Sequence, residues 1–277
     1  MAAFPDMHHP EPIRKTVLIT GASAGIGESF ARYLAAQGWH TLLAARSEDR
    51  LQKLAREINA SGGRADVLPG DISQHEDREC LIEKVNDITG GLDILINNAG
   101  FGWYGYFHQM PWKVAEQMAA VNILAVVHLT RLVLPGMLAR GGGHIINIGS
   151  VAGGFPNQGV ALYSASKAFM DAFTTSLHRE LRGSGVHASV MRLGPVQTEF
   201  FSRARKLENG GTVPAEKLAI PVERINKALG RLIQRPRRVV YVPWFLGASK
   251  AVELLFGGVV DQLGPLLLRR DDRKTSK

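Results

Sequence analysis

Ser150, Tyr163 and Lys167 lie in one short stretch, GSVAGGFPNQGVALYSASK, with the tyrosine and lysine four positions apart and the serine thirteen before the tyrosine. Four positions make about one helical turn, so phenol and ammonium share a helix face and can reach one ligand. A free phenol titrates near roughly 10 and exchanges protons poorly at neutral pH; a fixed cation beside it favours phenolate and makes it a usable acid or base. The same spacing also describes a half-buried ring beside a solvated amine, so the reading turns on the elements that hold these residues.

Those elements follow a regular alternation. TVLIT precedes a helix ending near Gln37 and Gly38; TLLAA precedes DRLQKLAREINA, closed by Gly62 and Gly63; ADVLP precedes a helix around CLIEKVNDI. DILIN then precedes one long helix from Val114 to Leu138, HIINIG a helix carrying Tyr163 to Leu181, and HASVMRL a helix near Ile225 to Ile233, before the last run, RVVYV. Apolar runs buried on both faces and separated by helices predict an α/β fold: a Rossmann-type, doubly wound parallel sheet of about seven strands with helices on both faces. One such domain is expected over 15–243, after a disordered lead-in at 1–14.

The first strand runs into Gly21, Ala22, Ser23, Ala24, Gly25, Ile26 and Gly27 and then into a helical pattern. Glycines at a strand-to-helix turn permit tight backbone geometry and close approach of a pyrophosphate, met by free N–H groups and the positive helix end. The second strand ends at Ala45, Arg46 and Ser47. A carboxylate there would accept from a ribose 2′-hydroxyl, whereas a guanidinium suits a 2′-phosphate, so Arg46 favours NADP(H) over NAD(H). Asp71, with Ile72 beside it, follows the third strand and is placed either to touch the adenine amino group or to cap a helix.

Gly21-x-x-x-Gly25-x-Gly27, Asn97-Asn98-Ala99-Gly100, Asn122, Ser150 and Tyr163-x-x-x-Lys167 occur in this order, followed by Gly194, Val196 and Thr198. In these motifs, from about Thr16 to Phe201, the chain resembles the short-chain dehydrogenase/reductase family; it departs at Leu193, where the family usually has Pro. The resemblance implies Tyr163 as the acid that protonates a carbonyl oxygen, or the base in alcohol oxidation. It implies Lys167 as the group that lowers the Tyr163 pKa and holds the nicotinamide ribose, Ser150 as the holder of the substrate oxygen, and Asn122 as the anchor of a water. Asn98, Ala99 and Gly100 would floor the cofactor, and Gly194, Val196 and Thr198 would meet its carboxamide. The implied activity is hydride transfer between NADP(H) and a small-molecule carbonyl or alcohol. Two other classes stay open: an NADP(H) sensor or scaffold without turnover, and a lipid-surface module.

The segment 199–221 falls where the family carries its substrate lid, and Phe200 and Phe201 beside Gly210-Gly211 fit either a closing loop or ordinary helix packing. Phe101, Trp103, Tyr104, Phe107, Phe155 and Leu162 could line an apolar pocket, which favours a bulky or apolar substrate. Basic residues exceed acidic ones by eight in 277 residues, but they are scattered, and no nucleic-acid footprint accompanies them. The single Cys80 fits a reducing cytoplasm, His8 and His9 are too few for a metal site, and no metal is expected. The protein is expected to be soluble. Beyond the last strand, WFLGASKAVELLFGGVVDQLGPLLL and a basic tail form an apolar extension over 244–277. Its stretch 244–268 is suited to packing, to a homodimer or homotetramer contact, or to peripheral membrane contact.

Overall fold

The structure, a computed structural model, describes residues 15–211 and 214–268. The expected lead-in at 1–14, with His8 and His9, and the basic tail after Leu268 lie outside the described residues. The strands are β1 (Thr16–Thr20), β2 (His40–Ala45), β3 (Arg64–Pro69), β4 (Ile94–Asn97), β5 (Gly143–Ser150), β6 (Val186–Leu193) and β7 (Val239–Val242). They form one sheet in the order β3-β2-β1-β4-β5-β6-β7, parallel at every pairing. The order reverses between β1 and β4, which opens a crevice at the carboxyl ends of those two strands.

The helices are α1 (Gly25–Ala35), α2 (Glu48–Ala60), α3 (His75–Thr89), α4 (Trp112–Ala119), α5 (Ala125–Ala139), α6 (Ala161–Glu180), α7 (Phe200–Lys206), α8 (Val222–Gln234) and α9 (Ser249–Leu268). The period-2 alternation of each strand splits the apolar residues between two cores. Val17 and Ile19 face Phe30, Leu34, Leu51 and Leu229 of α1, α2 and α8. Leu18, between them, faces Leu81, Val85, Leu129 and Leu177 of α3, α5 and α6. Both faces of β1 are therefore dry, and this is why TVLIT carries no polar alternation.

One expected helix is interrupted. The run from Val114 to Leu138 divides into α4, a π-helical turn at Ala120–Leu124 and α5. Asn122, fully buried in that turn, explains the break: its Nδ2 donates to the Phe101 carbonyl (3.0 Å) and Ser166 Oγ (3.2 Å), and its Oδ1 accepts from the Phe101 N–H (3.2 Å). Single-turn π-bulges gather at functional sites because they release a main-chain group from the helical ladder. Trp112–Ala139 is also long and apolar enough to cross a membrane by length and composition, with a mean hydropathy of 1.7. In the fold it lies on the sheet, with Met118, Leu129, Val133 and Met137 in the interior.

The apolar extension begins on the body. Leu246 Cδ1 lies 2.7 Å from where a Cβ on Gly194 would stand, and the methylenes of Lys250 lie as close to Gly154. Trp244, at its start, is 84% exposed, and further out Leu254 and Leu255 are 87% and 72% exposed.

Candidate active site

The turn after β1 is shaped by contacts that leave no room for side chains. Gly21 has φ +67°, and a Cβ on Gly27 would stand 2.4 Å from the Gly21 carbonyl oxygen and 2.5 Å from Asn98 Nδ2. Asn98 ties this turn to the end of β4: its Nδ2 donates to the carbonyls of Thr20 (2.9 Å) and Gly21 (3.3 Å), while Asn98 N and Ala99 N donate to Thr20 Oγ1. Ser23, Ala24 and Gly25 then open a cleft of about 370 Å³, bounded on the far side by Thr198 and Glu199. Gly25, the first residue of α1, lines this cleft, and the free N–H groups of a helix start suit a phosphate group.

The other nominated residues fall as follows. Arg46 is two-thirds exposed, with Nη1 3.9 Å from Asp71 Oδ2. Asp71 does not cap α3, whose N-cap is Gln74; its Oδ1 accepts from the Ser73 N–H (3.0 Å) in a local turn, which leaves its outer oxygen toward Arg46. Ile72 packs against the second core, and its carbonyl accepts from buried Arg78 (2.7 Å). Ser47 is the N-cap of α2 and makes no side-chain cap bond. Ile26 packs on the first core, and Val196 is buried there, bridged to Ile220.

Beyond the Asn98-Ala99-Gly100 segment, the tetrad converges from three elements. Ser150 closes β5, Tyr163 and Lys167 lie on one face of α6, and Asn122 sits in the π turn. Ser150 Oγ accepts from the Ala152 N–H (3.2 Å) and lies near enough to the Tyr163 phenol to favour its charged form. Lys167 is 5% exposed, donates from Nζ to the Ile148 carbonyl (2.8 Å) and stands 5.8 Å from the Tyr163 ring centroid. A Cβ on Gly100 would lie 3.1 Å from Asn122 Oδ1 and 3.6 Å from Lys167 Nζ, so the Asn98-Ala99-Gly100 floor touches both. Burial pulls the Lys167 ammonium down to about 8, with the charge of Asp171 working upward against it. The phenol differs from the sequence expectation. Burial raises Tyr163 above the ordinary tyrosine value, and the opposing influence of Ser150 does not reverse it.

The aromatic residues named from sequence crowd this end. Phe200 lies 5.7 Å from the Tyr163 ring, and Trp103, Phe107, Leu162 and Tyr163 enclose only about 10 Å³. The segment following α7 is pinned there: Trp103 Nε1 donates to the Glu208 carbonyl (2.9 Å), Gly211 N to that of Tyr104 (2.7 Å), and Asn209 Nδ2 to that of Gln109 (3.0 Å). Phe155 and Phe101 take no part in that small void.

Three features had no sequence reading. Arg50 lines the cleft and pairs with Glu199 at 3.3 Å, bridging α2 to the start of α7; a cation in the first turn after Arg46-Ser47 was its only signal. Asp171 sits behind Lys167. His75, Glu79 and His128 bring ligand-type atoms within 4.8 Å of one another. In that trio the two rings stack at 4.4 Å, Glu79 pairs with His75 (3.3 Å), and Arg78 Nε donates to His128 Nδ1 (2.9 Å). Parallel rings aim their lone pairs side by side rather than at one point, and the guanidinium repels a cation, so stacking and ion pairing account for the group.

Among curated proteins, the chain is 40% identical to ketoacyl reductase HetN of Nostoc sp. over 66% of its length and 63% of that protein's. It is 39% identical to a very-long-chain 3-oxoacyl-CoA reductase of Anas platyrhynchos, over 61% of its length and 55% of that protein's. A protein of the same name from Pyricularia oryzae is 34% identical over 82% of the chain and 68% of its own length. Thus the chain matches less than two thirds of the length of each of the first two. Among solved structures, a short-chain dehydrogenase from Sphingobium yanoikuyae in complex with NADPH superposes with a TM-score of 0.77 at 32% identity, covering 89% of this chain and 95% of its own. The family described as short chain dehydrogenase matches residues 15–209, and with the motifs all in place on this fold the chain belongs to that family.

Proposed function

We propose that the protein is an NADP(H)-dependent oxidoreductase that interconverts a ketone or aldehyde and its alcohol, with Tyr163 as general acid and base and with an apolar or bulky substrate. The observation that carries this reading is the convergence of Ser150, Tyr163 and Lys167 beside the Asn98-Ala99-Gly100 segment, which abuts a glycine turn that no side chain can enter.

The residues fit the cofactor. Gly21, Gly25 and Gly27 with the start of α1 would hold its pyrophosphate, Arg46 and Ser47 its 2′-phosphate, and Asp71 with Ile72 its adenine. Asn98, Ala99 and Gly100 would floor it, Lys167 would hold the ribose, and Gly194, Val196 and Thr198 would meet the carboxamide. When bound, it would supply or accept the hydride. The NADPH in the Sphingobium yanoikuyae relative supports this choice, as does the absence of a carboxylate at Ala45.

The protein's part is the proton. A phenol raised by burial stays protonated at neutral pH, so in carbonyl reduction Tyr163 donates its proton to the substrate oxygen while Ser150 holds that oxygen in place. Lys167, with its pKa near 8, carries its charge at neutral pH and stabilises the phenolate left behind. The names of the relatives make 3-oxoacyl compounds the first class to assay. NADPH oxidation should be followed by absorbance against ketones and aldehydes from short polar to long-chain. Tyr163→Phe should lower turnover by roughly 10²–10⁴ while NADPH still binds; full activity in that variant would overturn the assignment.

The same reading takes the protein as a homodimer or homotetramer and the exposed apolar side of α9 as its contact with a partner subunit or a lipid surface. Truncation before Trp244 should then change the sedimentation mass or abolish liposome flotation, and a change in neither would remove the contact.

A further inference from the structure

Asp171 lies four residues beyond Lys167 on α6, about 6 Å along the axis, and is 4% exposed. Burial favours the neutral acid, so a carboxylate here needs a partner. Arg192 of β6 supplies it: Nε donates to Asp171 Oδ1 at 2.9 Å, with the two side chains 8% and 5% exposed. Arg192 is itself fixed by β7, since Nη1 donates to the Tyr241 hydroxyl and the guanidinium lies 5.1 Å from that ring. The second oxygen, Oδ2, is buried with no hydrogen-bond partner among the described residues.

Buried pairs of this kind give little stability over an apolar replacement, because desolvating two charges offsets their attraction. The pair therefore needs another reason to be there, and Lys167 provides one. Among the described residues its ammonium has a single hydrogen-bond acceptor, the Ile148 carbonyl, which is neutral. The groups around it are Tyr163 on its own helix, Ser150 at the end of β5, Asn122 in the π turn, Asp171 behind it, Arg192 beyond Asp171, and Lys250 of α9, whose charge also acts on Asp171. Asp171 is the one acid in this set.

We propose that Asp171, clamped by Arg192, is a positioning residue that keeps the Lys167 ammonium charged and aimed along the Tyr163 face while touching neither substrate nor cofactor. This rests on the proposed role of Lys167, but it can be read without turnover.

The test is a pH titration by NMR of protein labelled with ¹³Cε-lysine, with the Lys167 signal assigned through Lys167→Arg. Asp171→Asn should move the Lys167 midpoint down by about one pH unit, and Arg192→Met, which leaves the buried carboxyl free to take a proton, should move it down as well. Asp171→Glu should restore the native midpoint. General loosening of the fold would rehydrate the ammonium and raise the midpoint, so a fall in either variant alone still reports if the other misfolds. A midpoint that stays put or rises in both would overturn the proposal. In the active enzyme the alkaline limb of kcat should follow the same shifts, costing Asp171→Asn about tenfold in kcat above that limb. The expected NMR shifts in a protein that turns over no carbonyl would instead count against the oxidoreductase reading and leave the charge arrangement standing.

Discussion

At the β1 end of the cleft, Gly21, Gly27 and Asn98 interlock through main-chain atoms, with Asn98 donating to two successive carbonyls of the turn. Beside Tyr163, the segment from Glu208 to Gly211 rests on the loop 103–109 through three hydrogen bonds that can break one at a time. The first region is fixed by what cannot fit. The second is fixed by contacts that an arriving substrate must displace, since about 10 Å³ beside Tyr163 holds no ligand. This contrast matches a division of labour in which the same nucleotide is always bound and the partner molecule varies, and mobile lids belong to the weakly held end.

The largest effect should come from the rigid end. In Gly27→Ala the new methyl would stand 2.4 Å from a backbone oxygen, which no rotamer can relieve, so the turn itself must move. NADPH affinity, measured by fluorescence, should fall by at least about a hundredfold, as a lost main-chain cradle costs several hydrogen bonds of about 1 kcal/mol each. Near-native affinity would show the turn to be softer than its contacts indicate. Arg46→Ala tests the same end one step out. A charge-assisted contact is worth about 1.5–3 kcal/mol, so NADPH should bind roughly 10- to 150-fold more weakly with little change for NADH; equal losses would remove Arg46 from the phosphate site.

The same contrast explains what was legible from sequence. The glycine turn and the Ser150, Tyr163, Lys167 set were readable because each role demands one residue type at a fixed short spacing. The sheet was readable because strands dry on both faces carry unbroken apolar runs. The π turn was not, because Asn122 inside an apolar run gives no sign that its amide reaches Phe101 and Ser166. Asp171 was not, because an acid four residues after a lysine on a helix usually means a solvated pair, and only the approach of β6 makes it buried. The lid aromatics stayed ambiguous, since Phe200 and Phe201 at helical spacing serve a core and a cover equally well; the structure has Phe201 buried and Phe200 over the Tyr163 ring.

A smaller change should act on the proposed lid alone. Trp103 is 4% exposed, and its indole N–H is the donor that holds Glu208. Trp103→Phe keeps most of the ring's packing and removes that bond, a net loss of about 1 kcal/mol, which makes the open lid roughly five times more populated. If the lid must open for substrate to enter and product to leave, steady-state kinetics should show KM altered a few-fold with little loss in the chemical step, and amide exchange at 207–211 should quicken. NADPH affinity should stay within about twofold of native, because none of the atoms that interlock the β1 turn is touched. A variant that weakened NADPH as much as Arg46→Ala does would mean that the lid and the nucleotide turn move as one body, and the separation of the cleft into a fixed and a yielding end would have to be given up.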